Sequence, residues 1–547
     1  MNRDRWYKEK VFYQIWPRSF KDGNGDGMGD LWGVLEKLDY IQSLGCDGIW
    51  FSPIYPSPGA DCGYDISDYM DIAPEFGGME AFRQVLDAAH ERGMKVVMDL
   101  VVNHTSDEHE WFQKSRQRID PYTDYYIWRP GKNGRKRPNN WDSLFEGKAW
   151  AWDDVRQEYY LHLFARKQPD LNMDNPAVRE EVKNIMRFRL DLGVDGFRED
   201  VITFISKTPG LPDDHLYPVS KGIRFYNHGP KIHEYLDEFK RDVLDHYDCF
   251  TIAEAPMVTP RKALEYINEK DGQLDLMIQF ETMCADCMFS DYMPRPFSLT
   301  KLKNAFSTWQ KKLAGQAWNT LYLENHDHPR VVCRYGSTEY WKQSAKSLAT
   351  SYLFQQGTPF VYQGQEIGML NWEPEDAEMY EDVQTRWQYE HTGGSPEKKL
   401  QKMWRCSRDF ARTPVQWDAT KNAGFSEAKP WFYVNSNYPY INVAQQENDP
   451  DSILNFYRKA IALRKRLSCV RDGNYKEYHE KSDDLYMYTR QDPRQRILVV
   501  CSFAKKELRF KAPRGYHLDV ADLVLQNYEN PKDGVLQPYE CRVYLWK

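Results

Sequence analysis

Short apolar, β-branched or aromatic runs recur along the chain at residues 11–15, 48–51, 95–102, 196–197, 250–253, 276–280, 320–323 and 360–362. Between them, apolar residues fall three and four apart, as in 35–44 before Gly45 and 79–90 before Gly93. That spacing predicts amphipathic helices ended by glycine. Eight alternations of strand and helix predict an α/β chain whose parallel sheet closes as a (β/α)₈ TIM barrel.

Two long excursions interrupt the rhythm. The stretch 105–175 is polar, aromatic and proline-rich, far longer than a usual connection, and reads as a small inserted domain after the third strand. Residues 129–138 within it, basic with glycine and proline, read as a solvated hairpin. A second excursion from about 364 to 425 is expected to add helices beside the active-site mouth. After the helical pattern at 454–467, short alternating strands take over. The expected domains are a barrel of 1–104 and 176–470, an insert of 105–175, and a C-terminal antiparallel β-sandwich of 471–547.

Charge and composition narrow the partners. The net charge of −8 comes from 73 basic and 81 acidic residues spread along 547 positions, which leaves no basic face for nucleic acid or an anionic membrane. The amino-terminal segment lacks the apolar core of a secretory signal and no run is long enough to span a bilayer, so a cytoplasmic monomer is expected. Ten cysteines show no disulfide or zinc spacing, and Cys284-Ala-Asp-Cys287 stands alone. Aromatics at 15% suit stacking on sugar rings, though plain cores use them too.

Three apolar runs end in carboxylates: Asp200, Glu254 and Asp327. In such a barrel the carboxyl ends of the strands face substrate. Retaining glycosidic cleavage needs a nucleophilic carboxylate and a second one, protonated, for the leaving oxygen. Asp200 and Glu254 fit that pair, Arg198 lies on the same strand face as Asp200 and is expected to hold it ionised, and Asp327 is placed to bind hydroxyls.

With these motifs in view, the chain resembles the α-amylase-type glycoside hydrolases, in their oligo-1,6-glucosidase and α-glucosidase branch. The resemblance implies Asp200 as nucleophile, Glu254 as acid/base and Asp327 as transition-state stabiliser. It covers nearly the whole chain. Asp99-Leu-Val-Val-Asn-His104 resembles the strand-three motif, implying His104 as a sugar ligand, and His326 is the implied second histidine. Asp61-Cys-Gly-Tyr64 resembles the floor of the non-reducing-end subsite, towards which Gln168-Pro-Asp-Leu-Asn172 brings Gln168 and Phe164. Ser407-Arg-Asp-Phe-Ala-Arg-Thr-Pro414 and its continuation resemble a loop whose second arginine, Arg412, pairs with Asp61. A pocket clamped at one end implies exo-action. Val201 after the nucleophile is the branch's mark of α-1,6 preference.

Asp22-Gly-Asn-Gly-Asp-Gly-Met-Gly-Asp30 spaces Asp22, Asn24, Asp26 and Asp30 like half of an EF-hand loop, without its final glutamate. The carbonyl of Met28 is a further candidate ligand, and the resemblance implies a structural Ca²⁺ here. Several positions depart from the branch: Cys62, Met173, Glu199, His328 and Ala253-Glu-Ala-Pro-Met257. Glu199 is expected to face away from the site and to need a partner. No organic cofactor is implied. The expected substrate is a short α-glucoside. A maltase, a trehalose-6-phosphate hydrolase, a glucosyltransferase and a non-catalytic sugar-binding relative share the scaffold.

Overall fold

The computed structural model describes residues 5–288 and 290–547. Eight parallel strands form the central sheet: β1 (Phe12–Ile15), β2 (Gly48–Phe51), β3 (Lys95–Leu100), β4 (Gly196–Glu199), β5 (Phe250–Glu254), β6 (Leu276–Ile278), β7 (Thr320–Leu321) and β8 (Thr358–Tyr362). Their order around the sheet is β7-β8-β1-β2-β3-β4-β5-β6. Between the two ends of this order, β7 and β6, Thr320 Oγ1 donates to the Met277 carbonyl at 2.8 Å and Tyr322 Oη to that of Gln279 at 2.7 Å, drawing the sheet into a barrel. Every strand falls on one of the expected runs.

Alternation decides what each strand buries. Phe12, Trp50, Val97, Phe250, Ile252, Leu276, Ile278 and Phe360 pack inside the barrel, while Tyr13, Ile49, Val96, Met98, Phe197 and Met277 join the larger core under the helices. Gly196 is required by this closeness, since a Cβ there would lie 2.0 Å from the Phe250 carbonyl oxygen. The 79–90 pattern folds as helix Gly78–Glu91. The 35–44 pattern instead forms two short helices, Leu31–Glu36 and Leu38–Ser43, broken at Lys37, whose backbone leaves the helical region.

The insert after β3 carries a three-stranded antiparallel sheet of Trp128–Arg129, Glu158–Leu161 and Trp150–Asp153. The excursion after β8 contributes helices Val383–His391 and Pro396–Trp404. At the C-terminus, five antiparallel strands (Asn474–Tyr478, Leu485–Gln491, Arg496–Ser502, Cys541–Trp546, Asp522–Gln526) form one sheet. Its second layer is only a two-stranded ribbon, Leu508–Arg509 with Val535–Leu536. Leu485, Met487, Leu498 and Val500 face that ribbon. Tyr486, Tyr488, Val499 and Cys501 face the barrel core, where Thr350 of helix Trp341–Leu353 donates to the Cys541 sulfur. Among the described residues no helix is long and apolar enough to cross a membrane.

Candidate active site

A cavity of about 520 Å³ opens at the carboxyl ends of the strands. Asp61, Tyr64, His104, Phe164, Asp200, Val201, Glu254, His326 and Asp327 line it. Gln168, Arg198 and Arg412 are buried behind that wall.

Strand register builds the floor. Asp99 on β3 lies opposite Arg198 on β4, and both point inward because they share the barrel-facing parity. Arg198 Nη1 donates to Asp99 Oδ1 at 3.0 Å and to Asp200 Oδ1 at 2.6 Å, while Nη2 lies 2.7 Å from Glu254 Oε1. One cation therefore serves three buried carboxylates. Arg198 was expected to hold Asp200 ionised; instead burial raises the Asp200 pKa well above the usual carboxylate range, the charges of Glu254 and Asp99 add to that, and the shared guanidinium offsets only part. Arg198 thus joins Asp200 and Glu254, the two carboxyls between which a retaining reaction divides one proton.

The other Glu254 oxygen accepts the Val201 N–H at 2.9 Å. Val201 makes this bond from a left-handed backbone, φ 34° and ψ 39°, which a β-branched residue adopts only under constraint.

Asp327 is held in the opposite charge state. Burial favours its neutral form, but His326, Arg408 and Arg412 outweigh burial and bring its pKa well below the usual range. His326 Nε2 lies 2.9 Å from Asp327 Oδ2 and 2.7 Å from Tyr64 Oη, and the Gln14 amide nitrogen meets Nδ1 at 2.8 Å. Nε2 thus faces Asp327 and can donate to it. Tyr64 and Trp16 both pack against this ring, at 5.3 and 5.4 Å between centroids, and Tyr64 donates to Asp99 Oδ2 at 2.9 Å.

The clamp at the closed end differs from expectation. Arg408, the first arginine of the 407–412 loop, donates to Asp61 Oδ1 at 3.2 Å and to Asp327 Oδ1 at 3.4 Å. Arg412 donates instead to Asp327 Oδ1 at 3.4 Å and to the His326 carbonyl at 3.1 Å. The cause is lateral packing: Arg412 lies flat over Trp16, 4.7 Å from its ring centre, and Asp382 anchors Arg408 at Nε (2.9 Å) and Nη2. Gln168 completes the clamp. Its carbonyl accepts from Ala165 N, so its amide nitrogen faces Asp61 Oδ2 and His104 Nε2, each at 3.1 Å. Burial pushes Asp61 up to about 6 and His104 down to about 3.

Sequence reasoning missed Gln14, Trp16, Arg408 and Asp382. Arg408 lay within a quoted motif; the others carry no local signal. Of the departures from the family pattern, His328 and Met257 line the cavity, whereas Cys62 and Met173 do not. Glu199 faces away from the site as expected, yet its Oε2 finds no partner among the described residues, and burial with the charge of Asp275 pushes it up to about 8.

The 22–30 loop lies apart from the cavity. Asp22 accepts from Gly25 N and Gly27 N, and Asp30 from Gly23 N, Asn24 N and Gly33 N, the last as cap of helix Leu31–Glu36. Asn24 and Asp26 bond each other. The donors are all hard oxygens, which suits calcium, though among the described residues no three acidic, histidine or cysteine side chains converge as a ready metal cluster.

The comparisons with known proteins agree with this geometry. The family model "Alpha amylase, catalytic domain" matches residues 14–473. The oligo-1,6-glucosidase of Parageobacillus thermoglucosidasius is 48% identical across 98% of both chains, and that of Bacillus cereus 46% identical across 99% of this chain and all of its own. Among solved structures, the trehalose-6-phosphate hydrolase of Bacillus licheniformis superposes with a TM-score of 0.93 at 41% identity, covering 99% of this chain and 100% of its own. The trehalulose synthase of Pseudomonas mesoacidophila MX-45 gives 0.94 at 40% identity, covering 99% of both. A barrel with carboxylates at the ends of β4 and β5 and in the loop after β7, matched over this length, makes the chain a member of the α-amylase family of glycoside hydrolases.

Proposed function

We propose that the protein is a retaining, exo-acting α-glucosidase that releases glucose from the non-reducing end of short α-glucosides, with preference for α-1,6 bonds. The observation that carries this is Arg198 joining Asp200 and Glu254 on the floor of a cavity closed at one end by Asp61 and Arg408. Relatives named oligo-1,6-glucosidase, 43–48% identical over nearly the full chain, support the linkage.

Asp200 and Glu254, joined by Arg198, share one proton; with it on Glu254, the ionised Asp200 attacks the anomeric carbon while Glu254 gives that proton to the glycosidic oxygen, and the leaving group departs. Water, deprotonated by Glu254, then attacks the glucosyl ester on Asp200 and releases α-glucose. Asp327, kept ionised by His326 and two arginines, binds hydroxyls of the flattened ring, and Asp61 with Arg408 grips the terminal ones through charge-assisted hydrogen bonds. Such a clamp leaves no room for a chain beyond the terminal glucose. His104, made neutral by burial, is a hydroxyl ligand.

Among the described residues lining the cavity, Arg408 is the one permanent cation, and it is already committed to Asp61, Asp327 and Asp382. That disfavours a phosphorylated leaving group. Calcium in the 22–30 loop, a cytoplasmic location and a monomeric state belong to the same reading; the ten free thiols suit a reducing compartment.

The test compares kcat/KM for isomaltose, maltose, sucrose and trehalose 6-phosphate, with the first-formed anomer read by NMR. Preference for isomaltose with α-glucose appearing first is expected. First-formed β-glucose defeats the retaining mechanism, and preference for maltose or trehalose 6-phosphate defeats the linkage assignment.

A further inference from the structure

The two sides of the cavity are finished differently. At the closed end every charge is paired. On the side reached through the loops after β5, β6 and β7, the lining includes Met257, Phe280, Met283 and Cys284, and among the described residues His328 and Asp291 are its imidazole and carboxyl groups beyond Glu254, His326 and Asp327.

His328 is 3% exposed, and neither ring nitrogen has a hydrogen-bond partner among the described residues. Asp291 Oδ2 is 3.7 Å from Nδ1, beyond hydrogen-bond reach. Arg334, the nearest cation, is committed to Asp286 at 2.6 and 3.0 Å and to the Met283 carbonyl at 2.6 Å. Asp327, the adjacent residue, is taken by His326, Arg408 and Arg412. A buried polar ring without partners is costly unless a ligand completes its bonds. Burial, aided by Arg334, pushes His328 down to about 3, so it carries one donor and one acceptor, the complement of a hydroxyl.

Met257 supplies the other half. It has φ 59° and is 64% exposed, so a strained backbone holds a large apolar side chain at the cavity mouth. Phe280 lies 6.3 Å from the His328 ring.

We propose that His328 is the hydrogen-bonding ligand of the leaving group: it takes a hydroxyl of the departing ring while Met257 and Phe280 cover that ring's apolar face. The preferred leaving group is a neutral single ring with a free hydroxyl, since neither His328 nor Asp291 offers a cation to a phosphorylated one. This rests on the α-glucosidase reading above.

The experiment assays wild type, His328→Ala and His328→Gln on isomaltose and on α-glucosyl fluoride, whose leaving group has no ring to bind. The alanine variant is expected to lose about tenfold more kcat/KM on isomaltose than on the fluoride. Glutamine, with a donor and an acceptor, is expected to restore part of the difference. An equal loss on both substrates overturns the proposal, because it marks His328 as a support for Asp327, and no loss on either overturns it too. Turnover of the fluoride by each variant also shows that it has folded. Failure of the wild type on α-glucosyl fluoride would overturn the glucosidase reading itself, and this assignment with it.

Discussion

The main-chain N–H of Val201 donates to Glu254 at 2.9 Å, so the residue that follows the proposed nucleophile positions the proposed acid. It does so from a left-handed conformation, with its side chain on the cavity wall. Backbone and side chain therefore carry separate duties.

Val201→Ala keeps the N–H and trims the wall. The ratio of kcat/KM for isomaltose over maltose is expected to fall by about tenfold, the scale on which a few methyl groups discriminate substrates. An unchanged ratio would remove Val201 as the linkage selector.

Arg408 rather than Arg412 touches Asp61. Arg408→Lys replaces a planar fork by a point charge, so KM for isomaltose is expected to rise by about tenfold with a smaller fall in kcat. Arg412→Lys, acting through Asp327, is expected to lower kcat more than it raises KM. The reverse pattern in steady-state kinetics would return the clamp to Arg412.

Glu199 is a carboxyl whose folded pKa of about 8 stands above its ordinary 4.5. The folded protein keeps a proton that the unfolded chain sheds, so stability declines as pH rises between those values and then levels off. Glu199→Gln removes the effect. Its Tm is expected to match wild type near pH 5 and to exceed it by about 3 °C at pH 8. A pH-independent gap would show that ionisation at Glu199 is not the cause.

Calcium in the 22–30 loop should act on stability alone, since the loop lies outside the cavity. Chelation is expected to lower Tm by about 5 °C without changing the initial rate at 25 °C, and Asp26→Ala to abolish the chelator's effect. Elemental analysis finding no calcium in protein purified without chelator would end this reading.

The sequence by itself determined the eight strands, because each barrel strand is a short local run whose apolar character survives any packing. It also placed Asp200 and Glu254 at strand ends, and Glu199 on the outward face by simple alternation, whereas Asp327 lies six residues past Leu321, in the loop after β7. Two patterns bent in three dimensions: the 35–44 helix broke at Lys37, and the second layer of the C-terminal domain shrank to a ribbon.

Charge state and partner choice were decided only by tertiary structure. Arg198 is two residues from Asp200, but Asp99 and Glu254 reach the same guanidinium from neighbouring strands, and their charge together with burial opposes the ionisation that Arg198 favours. Two arginines four positions apart look equivalent in a motif. Trp16, far away in the chain, lies under one, and Asp382 holds the other towards Asp61. Electrostatic fields and ring stacking act through space, so residues with no local signature settle what the motif leaves open.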